Sequence, residues 1–257
     1  MPAEPALPLA DHIVLVTGAS SGIGRAIATT CAQSGADVAI TYRANRAGAD
    51  ETAATIASLG RRTAVRALDL ANADDIRALT PWVSGTFGRV DAWINNAGAD
   101  IVTPGPDSMS PLQKLDLLLA VDLRGTILAS WEAVALMKTQ DRGGVIINMS
   151  WDHVSQGMQG TNPQMYAAVK GGVMAFSKGL ARSVAPKVRV NILAPGWIET
   201  AFGEGVDPQV YREVVESTPM KRWGRPADVA GAAVYLASPA AAFLTGQTIN
   251  VGGGIVM

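Results

Sequence analysis

A tyrosine and a lysine four residues apart, Tyr166 and Lys170, are the first residues whose types and spacing suggest chemistry. On a helix this spacing puts both side chains on one face. An ammonium group close to a phenol stabilises the phenolate, so we expect Lys170 to lower the pKa of Tyr166 from its ordinary value of about 10. Tyr166 would then donate a proton to a forming alkoxide, or accept one from an alcohol.

A glycine-rich turn near the N-terminus, TGASSGIG (17–24), follows an apolar run and opens a helical pattern. Gly18, Gly22 and Gly24 allow a tight turn and a close approach of the backbone to a ligand. The N-terminus of the helix then presents free N–H groups and the positive end of its dipole to a pyrophosphate. The turn therefore predicts a dinucleotide site, although glycines at such turns also serve packing alone.

The choice of dinucleotide depends on the residues that end the second strand pattern. They read Thr41-Tyr42-Arg43, followed by Arg46, with no acidic residue before Asp50. A carboxylate here would bind the ribose hydroxyls of NAD and repel a 2′-phosphate, whereas a guanidinium binds that phosphate. We expect NADP(H) to be preferred over NAD(H), with Arg43 and Arg46 binding the phosphate. The alternative is that both arginines are solvated residues at the start of a helix.

Composition excludes several classes of function. The formal net charge of −1 gives no basic surface for nucleic acid, and the 257 residues suffice for one well-buried domain. No apolar run approaches the length of a membrane span, and the N-terminus lacks the pattern of a signal peptide. One cysteine and two histidines allow no internal disulfide and give no metal-ligand spacing. We therefore expect a cytoplasmic protein without a metal.

Short β-branched runs alternate with longer helical patterns along the whole chain. The predicted strands are 12–18, 36–42, 63–69, 90–96, 144–150, 187–193 and 246–252, and the predicted helices are 22–34, 46–59, 72–87, 112–138, 163–185 and 226–236. Several strand patterns are almost entirely apolar, as in a parallel sheet covered by helices on both faces. The alternation predicts a single α/β domain over 1–257, a doubly wound parallel sheet of Rossmann type with about seven strands. A loop at about 196–216 should cover the substrate.

Several motifs, in a fixed order, carry a resemblance to a known family. They are TGASSGIG (17–24), LDL (68–70), NNAG (95–98), YAAVK (166–170), VRVNILAPGWIET (188–200), RPADVAGAAVYLAS (225–238) and FLTGQTINVGGG (243–254). Along essentially its whole length the sequence resembles the short-chain dehydrogenase/reductase family, in the branch of chains of similar length. Independent motifs in the right order are far more specific than one glycine pattern.

The resemblance implies contacts to the cofactor at each motif. Asp69 would contact the adenine amino group, and the 95–98 motif would border the adenosine. Ile198 and Thr200 would hold the nicotinamide carboxamide, and Lys170 would also bind the nicotinamide ribose. The predicted cofactor-binding residues are Gly18, Ser20, Ser21, Gly22, Ile23, Gly24, Arg43, Asp69, Leu70, Asn95, Ala97, Gly98, Tyr166, Lys170, Pro195, Gly196, Ile198 and Thr200. Most such enzymes are homotetramers built on their two longest helices, here 112–138 and 163–185, so a homotetramer acting on a small molecule is implied.

One departure from the family lies on the long helix before Tyr166, where Asp122 stands in place of an asparagine. In the family the main-chain carbonyl of that asparagine holds a water in a proton relay to the lysine. Asp122 could keep this relay while adding negative charge near Lys170. A structural role for Asp122 is equally open.

A second departure concerns the serine that the family places before its tyrosine. Counting forward from the strand puts Trp151 at that position, whereas counting back by the usual spacing from Tyr166 puts His153 there, so the loop is longer than usual. The polar candidates are Asp152, His153 and Ser155. Pteridine-type reductases of the family use an aspartate here, but their glycine loop usually carries an arginine that this chain lacks. We expect Asp152 to face the cleft, with Trp151 packed as a wall.

The leading hypothesis is an NADP(H)-dependent reductase of a small carbonyl compound. Its catalytic candidates are Tyr166, Lys170, Asp122, Asp152 and His153, and its candidate substrate contacts are Trp151, Ser155, Trp197 and Phe202. The first alternative is reduction of a C=N bond in an imine or pterin-like substrate, with the carboxylate of Asp152 stabilising the iminium. The second is a nucleotide-binding scaffold or regulator without redox chemistry, against which the retained tyrosine and lysine argue.

Overall fold

The computed structural model describes residues 7–101, 109–200 and 206–257. Its strands form one parallel sheet in the order β3-β2-β1-β4-β5-β6-β7. They are β1 (Ile13–Val16), β2 (Asp37–Tyr42), β3 (Thr63–Ala67), β4 (Ala92–Asn95), β5 (Gly144–Met149), β6 (Val188–Pro195) and β7 (Thr248–Val251). The doubly wound sheet of seven strands is thus confirmed. Strand order reverses between β1 and β4, which opens a crevice at the carboxyl ends of the strands.

Helices cover both faces of the sheet. They are α1 (Gly22–Gln33), α2 (Arg46–Ser58), α3 (Ala73–Arg77), α4 (Leu79–Phe87), α5 (Pro111–Leu118), α6 (Thr126–Thr139), α7 (Thr161–Val184), α8 (Pro208–Ser217) and α9 (Pro226–Ala237). A wide π-helical turn, Leu119–Gly125, joins α5 to α6, and short 3₁₀ turns span Asp152–Ser155 and Pro239–Ala241. Within the described ranges, no helix is long and apolar enough to cross a membrane.

The core consists of two main apolar layers, one on each face of the sheet. Because side chains alternate along a strand, Val14 and Val16 of β1 contribute to one layer and Leu15 to the other. Helices α1, α2 and α9 pack on the first face, and α4, α6 and α7 pack on the second. Strands buried on both faces explain why their sequences are almost continuously apolar.

One predicted helix, 72–87, is two helices, because the chain breaks at Ala78 between α3 and α4. Pro81 explains the break. Proline has no N–H to donate, so it fits only the first turn of a helix, and α4 begins two residues before it.

Helix α8 lies inside the stretch that the sequence assigned to a substrate loop. Asp207 caps it by accepting a hydrogen bond from the backbone N–H of Gln209 at 2.6 Å, and Pro208 occupies the first turn. An aspartate followed by proline is a recognised start signal for a helix. Part of the stretch at about 196–216, which the sequence assigned to a substrate loop, is therefore helical.

Candidate active site

A cleft of about 410 Å³ lies over the carboxyl ends of β1 to β4. It is lined by Gly18, Ser20, Ser21, Gly22, Ile23, Gly24, Thr41, Tyr42, Arg43, Ala44, Asn45, Leu68, Asp69, Leu70, Asn96, Ala97, Gly98, Val121 and Thr200. The glycine-rich turn, the end of β2, the LDL motif and the NNAG motif meet here, although they are far apart in the sequence. The cleft is where the fold predicts a dinucleotide.

The glycines of the turn are required by close contacts. Gly18 has a φ of +66°, and a Cβ there would lie 2.9 Å from Cα of Ala97. A Cβ on Gly24 would overlap with the carbonyl oxygen of Gly18. Helix α1 begins at Gly22, and the side chain of Ser21 does not cap it. The first N–H groups of the helix therefore lie at the cleft without a side-chain acceptor. The glycines therefore let the turn pack closely against the 95–98 motif, and the N–H groups at the start of α1 suit a pyrophosphate.

The two asparagines of NNAG have different roles. Asn96 lines the cleft and fixes the glycine turn, since its Nδ2 donates to the carbonyls of Thr17 at 2.9 Å and of Gly18 at 3.2 Å. Asn95 is buried beneath the cleft, where its Nδ2 donates to Oδ1 of Asn148 at 2.8 Å. The sequence assigned the cofactor contact to Asn95. In the structure Asn96, and not Asn95, lines the cleft.

The two arginines after β2 also differ. Arg43 is exposed and lines the cleft. Arg46 is absent from the cleft lining, and its Nε lies 3.4 Å from Oδ2 of Asp50 on the same helix. Of the two predicted phosphate ligands, only Arg43 is in place to meet a nucleotide.

The remaining cofactor candidates divide between the cleft and its surroundings. Asp69 lines the cleft, and its Oδ1 accepts from the backbone N–H of Ala71 at 2.9 Å. Ile198 is buried and forms an isolated β-bridge with Gly224. The predicted cofactor residues outside the cleft lining are Asn95, Tyr166, Lys170, Pro195, Gly196 and Ile198. Lining residues that the sequence prediction missed are Thr41, Tyr42, Ala44, Asn45, Leu68, Asn96 and Val121.

Tyr166 and Lys170 share one face of α7, as their spacing predicts. The Nζ atom of Lys170 lies 5.4 Å from the centroid of the Tyr166 ring and 2.8 Å from Oδ2 of Asp122. Asp122 is buried in the π-helical turn, and its Oδ1 accepts from the backbone N–H of Ala99 at 2.7 Å. Lys170 is also buried, so Lys170 and Asp122 form a buried ion pair close to the Tyr166 ring.

This ion pair changes the acid–base properties of the site. Desolvation disfavours the ammonium of Lys170, but the charge of Asp122, the charge of Tyr166 and the hydrogen bond to Asp122 together raise the pKa of Lys170. Desolvation of the phenolate raises the pKa of Tyr166; the charge of Lys170 opposes this, and the charges of Asp122 and Asp100 add to it. Lys170 lowers the pKa of Tyr166 as expected, but desolvation outweighs it and the net pKa is raised. The phenol keeps its proton at neutral pH, as a proton donor must.

Residues 150–151 follow β5 and approach Tyr166. The hydroxyl of Ser150 donates to the main-chain carbonyl of Lys170 at 3.0 Å, so Ser150 fixes α7 against β5. The indole of Trp151 contacts the Tyr166 ring in an edge-to-face arrangement, with 5.4 Å between centroids and 68° between planes. Counting forward from the strand therefore identified the residue beside the tyrosine.

Asp152 is fully buried, which corrects the expectation that it faces the cleft. Its Oδ1 lies 2.6 Å from Nδ1 of His153, and its Oδ2 has no hydrogen-bond partner. That second oxygen is wedged against Gly196 and Gly252, where a Cβ on either glycine would overlap with it. Ser155 is exposed at the end of the 3₁₀ turn.

An aromatic wall continues from this turn into the segment after β6. The ring of Trp197 lies edge-on to His153 at 6.3 Å and packs on Trp223 at 5.3 Å. Tyr211 of α8 stacks on the other side of Trp223 at 4.9 Å. Trp223 was not among the predicted site residues, Tyr211 lies in the stretch predicted as the substrate loop, and the predicted Phe202 lies outside the described residues.

A family model described as enoyl-(acyl carrier protein) reductase matches residues 18–256. A 3-oxoacyl-[acyl-carrier-protein] reductase of Synechocystis sp. is 35% identical over 97% of this chain and 98% of its own. The structure of a short-chain dehydrogenase from Burkholderia cenocepacia in complex with NADP matches with a TM-score of 0.86 and 31% identity, over 96% of this chain and 99% of that one. The chain belongs to the short-chain dehydrogenase/reductase family.

Another short-chain dehydrogenase/reductase structure, a 7α-hydroxysteroid dehydrogenase complexed with NADH and 7-oxo glycochenodeoxycholic acid, has a TM-score of 0.88 and 30% identity, over 98% of this chain and 96% of that one. The family uses nicotinamide cofactors. The uncapped N-terminus of α1, which follows the glycine turn and lines the cleft, suits the pyrophosphate of such a cofactor. Which nicotinamide cofactor is preferred depends on residues particular to this chain.

Proposed function

We propose that this protein is an NADP(H)-dependent oxidoreductase that reduces the carbonyl group of a small organic substrate, with Tyr166 as the proton donor. The observation that carries the proposal is the arrangement of Tyr166 and Lys170 on α7. The ammonium lies 5.4 Å from the phenol ring and is buried. A lysine that is kept charged beneath a protonated phenol suits proton transfer better than it suits a structural role on a helix face.

When bound, NADPH would supply a hydride to the carbonyl carbon and be oxidised to NADP⁺. As the C=O electron pair moves onto oxygen, Tyr166 gives its phenolic proton to that oxygen, which completes the alcohol. The positive charge of Lys170 stabilises the phenolate that remains. Because the pKa of Tyr166 is raised, its phenol stays protonated at neutral pH.

The preference for NADP(H) rests on the charge of the cleft beside β2. The lining residues from this part of the chain are Thr41, Tyr42, Arg43, Ala44 and Asn45, and none of them is acidic. A 2′-phosphate would therefore meet the guanidinium of Arg43 and no repelling carboxylate. Related structures are complexes with NADP in one case and with NADH in another, so the family alone does not decide the cofactor. The support for NADP(H) is the positive charge of Arg43 in this part of the cleft.

The alternative of C=N reduction depended on the carboxylate of Asp152 in the cleft. Because that carboxylate is buried and bound to His153, it is not placed to stabilise an iminium directly. Carbonyl reduction does not depend on Asp152, and it is also supported by several curated relatives that are named 3-oxoacyl-[acyl-carrier-protein] reductases. A 3-oxoacyl thioester is accordingly the first substrate to try.

The test is NADPH oxidation by the whole protein on acetoacetyl-coenzyme A, a cyclic ketone, an aldehyde and a cyclic imine. We expect turnover on at least one carbonyl compound. Tyr166→Phe, which removes only a hydroxyl, should lower kcat by about 10²-fold or more while NADPH still binds. Near-normal turnover in Tyr166→Phe contradicts the proposal, and NADPH binding without oxidation of any substrate favours the scaffold alternative.

The proposal includes a homotetramer built on the helices at 112–138 and 163–185. Helices α6 and α7 carry apolar side chains on their outer surface, among them Trp131, which is 55% exposed and contacts Phe176 across the two helices. Light scattering on the purified protein measures the assembly directly. A monomer would contradict this part of the proposal alone.

A further inference from the structure

Reduction of a carbonyl places negative charge on the substrate oxygen, and a second hydrogen-bond donor near Tyr166 would stabilise that charge. Two donors near Tyr166 are already engaged. The hydroxyl of Ser150 donates to the carbonyl of Lys170, and the ammonium of Lys170 lies against Asp122 and the carbonyl of Met149. Neither is free to turn toward a substrate.

Trp151 differs from these residues. Its ring contacts Tyr166, it is half-buried, and no hydrogen bond among the described residues engages its indole N–H. The buried tryptophans Trp93 and Trp223 use theirs, because Trp93 donates to Asn95 at 2.9 Å and Trp223 donates to a backbone carbonyl at 3.2 Å. The indole beside the proton donor thus keeps an unused donor.

The position of the Trp151 indole is fixed by its neighbours His153 and Asp152. The imidazole of His153 stacks on it with 5.0 Å between centroids and 20° between planes. Nδ1 of His153 is bound to the buried carboxylate of Asp152 at 2.6 Å. Since Gly196 and Gly252 leave no space around the other carboxylate oxygen, Asp152 has one position, and it fixes the imidazole.

We propose that Trp151 donates its indole N–H to the substrate oxygen, and that Asp152 and His153 are positioning residues that hold the indole there. This inference rests on the proposed carbonyl reduction and deepens it. An indole N–H is a donor only, so it serves an oxygen that gains negative charge and gives nothing to a protonated C=N nitrogen. The substrate class is therefore a carbonyl compound whose oxygen is bound between Tyr166 and Trp151.

The first test is Trp151→Phe, which keeps an aromatic ring on His153 and removes the donor. With the best carbonyl substrate of the panel above, kcat should fall by about 10²-fold with KM nearly unchanged, because the bond forms mainly in the transition state. NADPH affinity should stay at the wild-type value, which shows that the variant is folded. A kcat within about threefold of wild type overturns the inference, on the scale of one lost donor.

The positioning role is tested by a double-mutant cycle. His153→Ala and Asp152→Ala should each lower kcat about tenfold, and Asp152→Asn, which keeps an acceptor for Nδ1, should restore most of it. In a Trp151→Phe background the same changes should have almost no further effect, since the donor that they position is gone. Fully additive losses would mean that Asp152 and His153 act independently of Trp151, and would overturn their assignment.

Failure of this inference is distinguishable from failure of the proposed function. If Tyr166→Phe loses turnover and Trp151→Phe does not, the carbonyl reductase stands and the indole donor is wrong. If Tyr166→Phe keeps turnover, or no carbonyl compound is reduced, both are wrong.

Discussion

The ammonium of Lys170 and the carboxylate of Asp122 form a buried ion pair, with 2.8 Å between Nζ and Oδ2. Its effect reaches Tyr166, because a lysine that is partly neutralised by Asp122 stabilises the phenolate less. The charged groups that act on Tyr166 are Lys170, which lowers its pKa, and Asp122 and Asp100, which raise it. The ion pair therefore favours a site that holds a proton and delivers it.

Asp122→Asn should move the pH dependence of reduction to lower pH. The phenol acts as an acid only when protonated, so kcat/KM falls as pH rises through the pKa of Tyr166, which lies above its ordinary value of 10.0. Removing the charge of Asp122 lowers that pKa. The measurement is kcat/KM against pH with NADPH, and Asp116→Asn, at an exposed position of α5, is the control. Identical profiles for wild type and Asp122→Asn would show that Asp122 does not act on Tyr166.

The same pair predicts a stability effect. Asp122→Ala leaves a buried ammonium without its counter-charge and should lower the free energy of unfolding by about 3–5 kcal/mol. Adding Lys170→Met should recover most of this loss, because no buried charge remains. Urea unfolding at neutral pH measures both. The pair is complete at neutral pH, since the folded pKa of Lys170 is raised above its ordinary 10.5 and its contribution disappears only as pH rises through that raised value.

A loss that Lys170→Met does not recover would show that Asp122 stabilises the fold through its bond to the N–H of Ala99 instead. Asp122→Asn distinguishes the two, because an amide oxygen can still accept from Ala99 while carrying no charge.

Patterns of apolar and β-branched residues sufficed to predict all seven strands. The signal is strongest for inner strands such as β1 and β4, which are buried on both faces and have few polar positions. Local signals for α8 and for the break at Ala78 were present in Asp207-Pro208 and Pro81. The helical period of 72–87 outweighed Pro81, and the position of 196–216 after a strand end favoured a loop over α8. The π-helical turn at Leu119–Gly125 has no such signal, since its sequence continues the helical pattern.

The glycine turn and the Tyr166–Lys170 pair could be predicted because their chemistry depends on spacing within one segment. The direction of Asp152 could not, because a shift of one residue in a short turn exchanges it with His153. The raised pKa of Tyr166 could not either, since it depends on Asp122, which is distant in sequence and adjacent in the fold. The direction of the Asp152 side chain and the pKa of Tyr166 both depend on contacts between segments that are distant in the sequence.

Arg43→Ala should abolish most of the preference for NADPH. If the guanidinium binds the 2′-phosphate, wild type should bind NADPH at least tenfold more tightly than NADH, about 1.4 kcal/mol. The substitution should weaken NADPH binding and leave NADH binding almost unchanged. Arg46→Ala is the matched control, because Arg46 is paired with Asp50 and does not line the cleft. Equal affinity of the wild-type protein for both cofactors would remove Arg43 from the site.

Gly24→Ala should disrupt the turn that receives the pyrophosphate. The added Cβ would overlap with the carbonyl oxygen of Gly18 and with Nδ2 of Asn96, and neither can retreat, because Asn96 donates to that carbonyl at 3.2 Å. We expect NADPH affinity to fall at least tenfold and the free energy of unfolding to fall by about 1–3 kcal/mol, the cost of overpacking.

Gly85→Ala is the control for this prediction, since Gly85 is an exposed residue of α4 with no atom near the position of a new Cβ. It should raise the free energy of unfolding by roughly 0.5–1 kcal/mol, because alanine favours a helix over glycine, and leave NADPH affinity unchanged. Fluorescence titration with NADPH and urea unfolding measure the two quantities on each variant. If Gly24→Ala binds NADPH as tightly as Gly85→Ala does, the pyrophosphate does not approach the turn at Gly18 and Gly24.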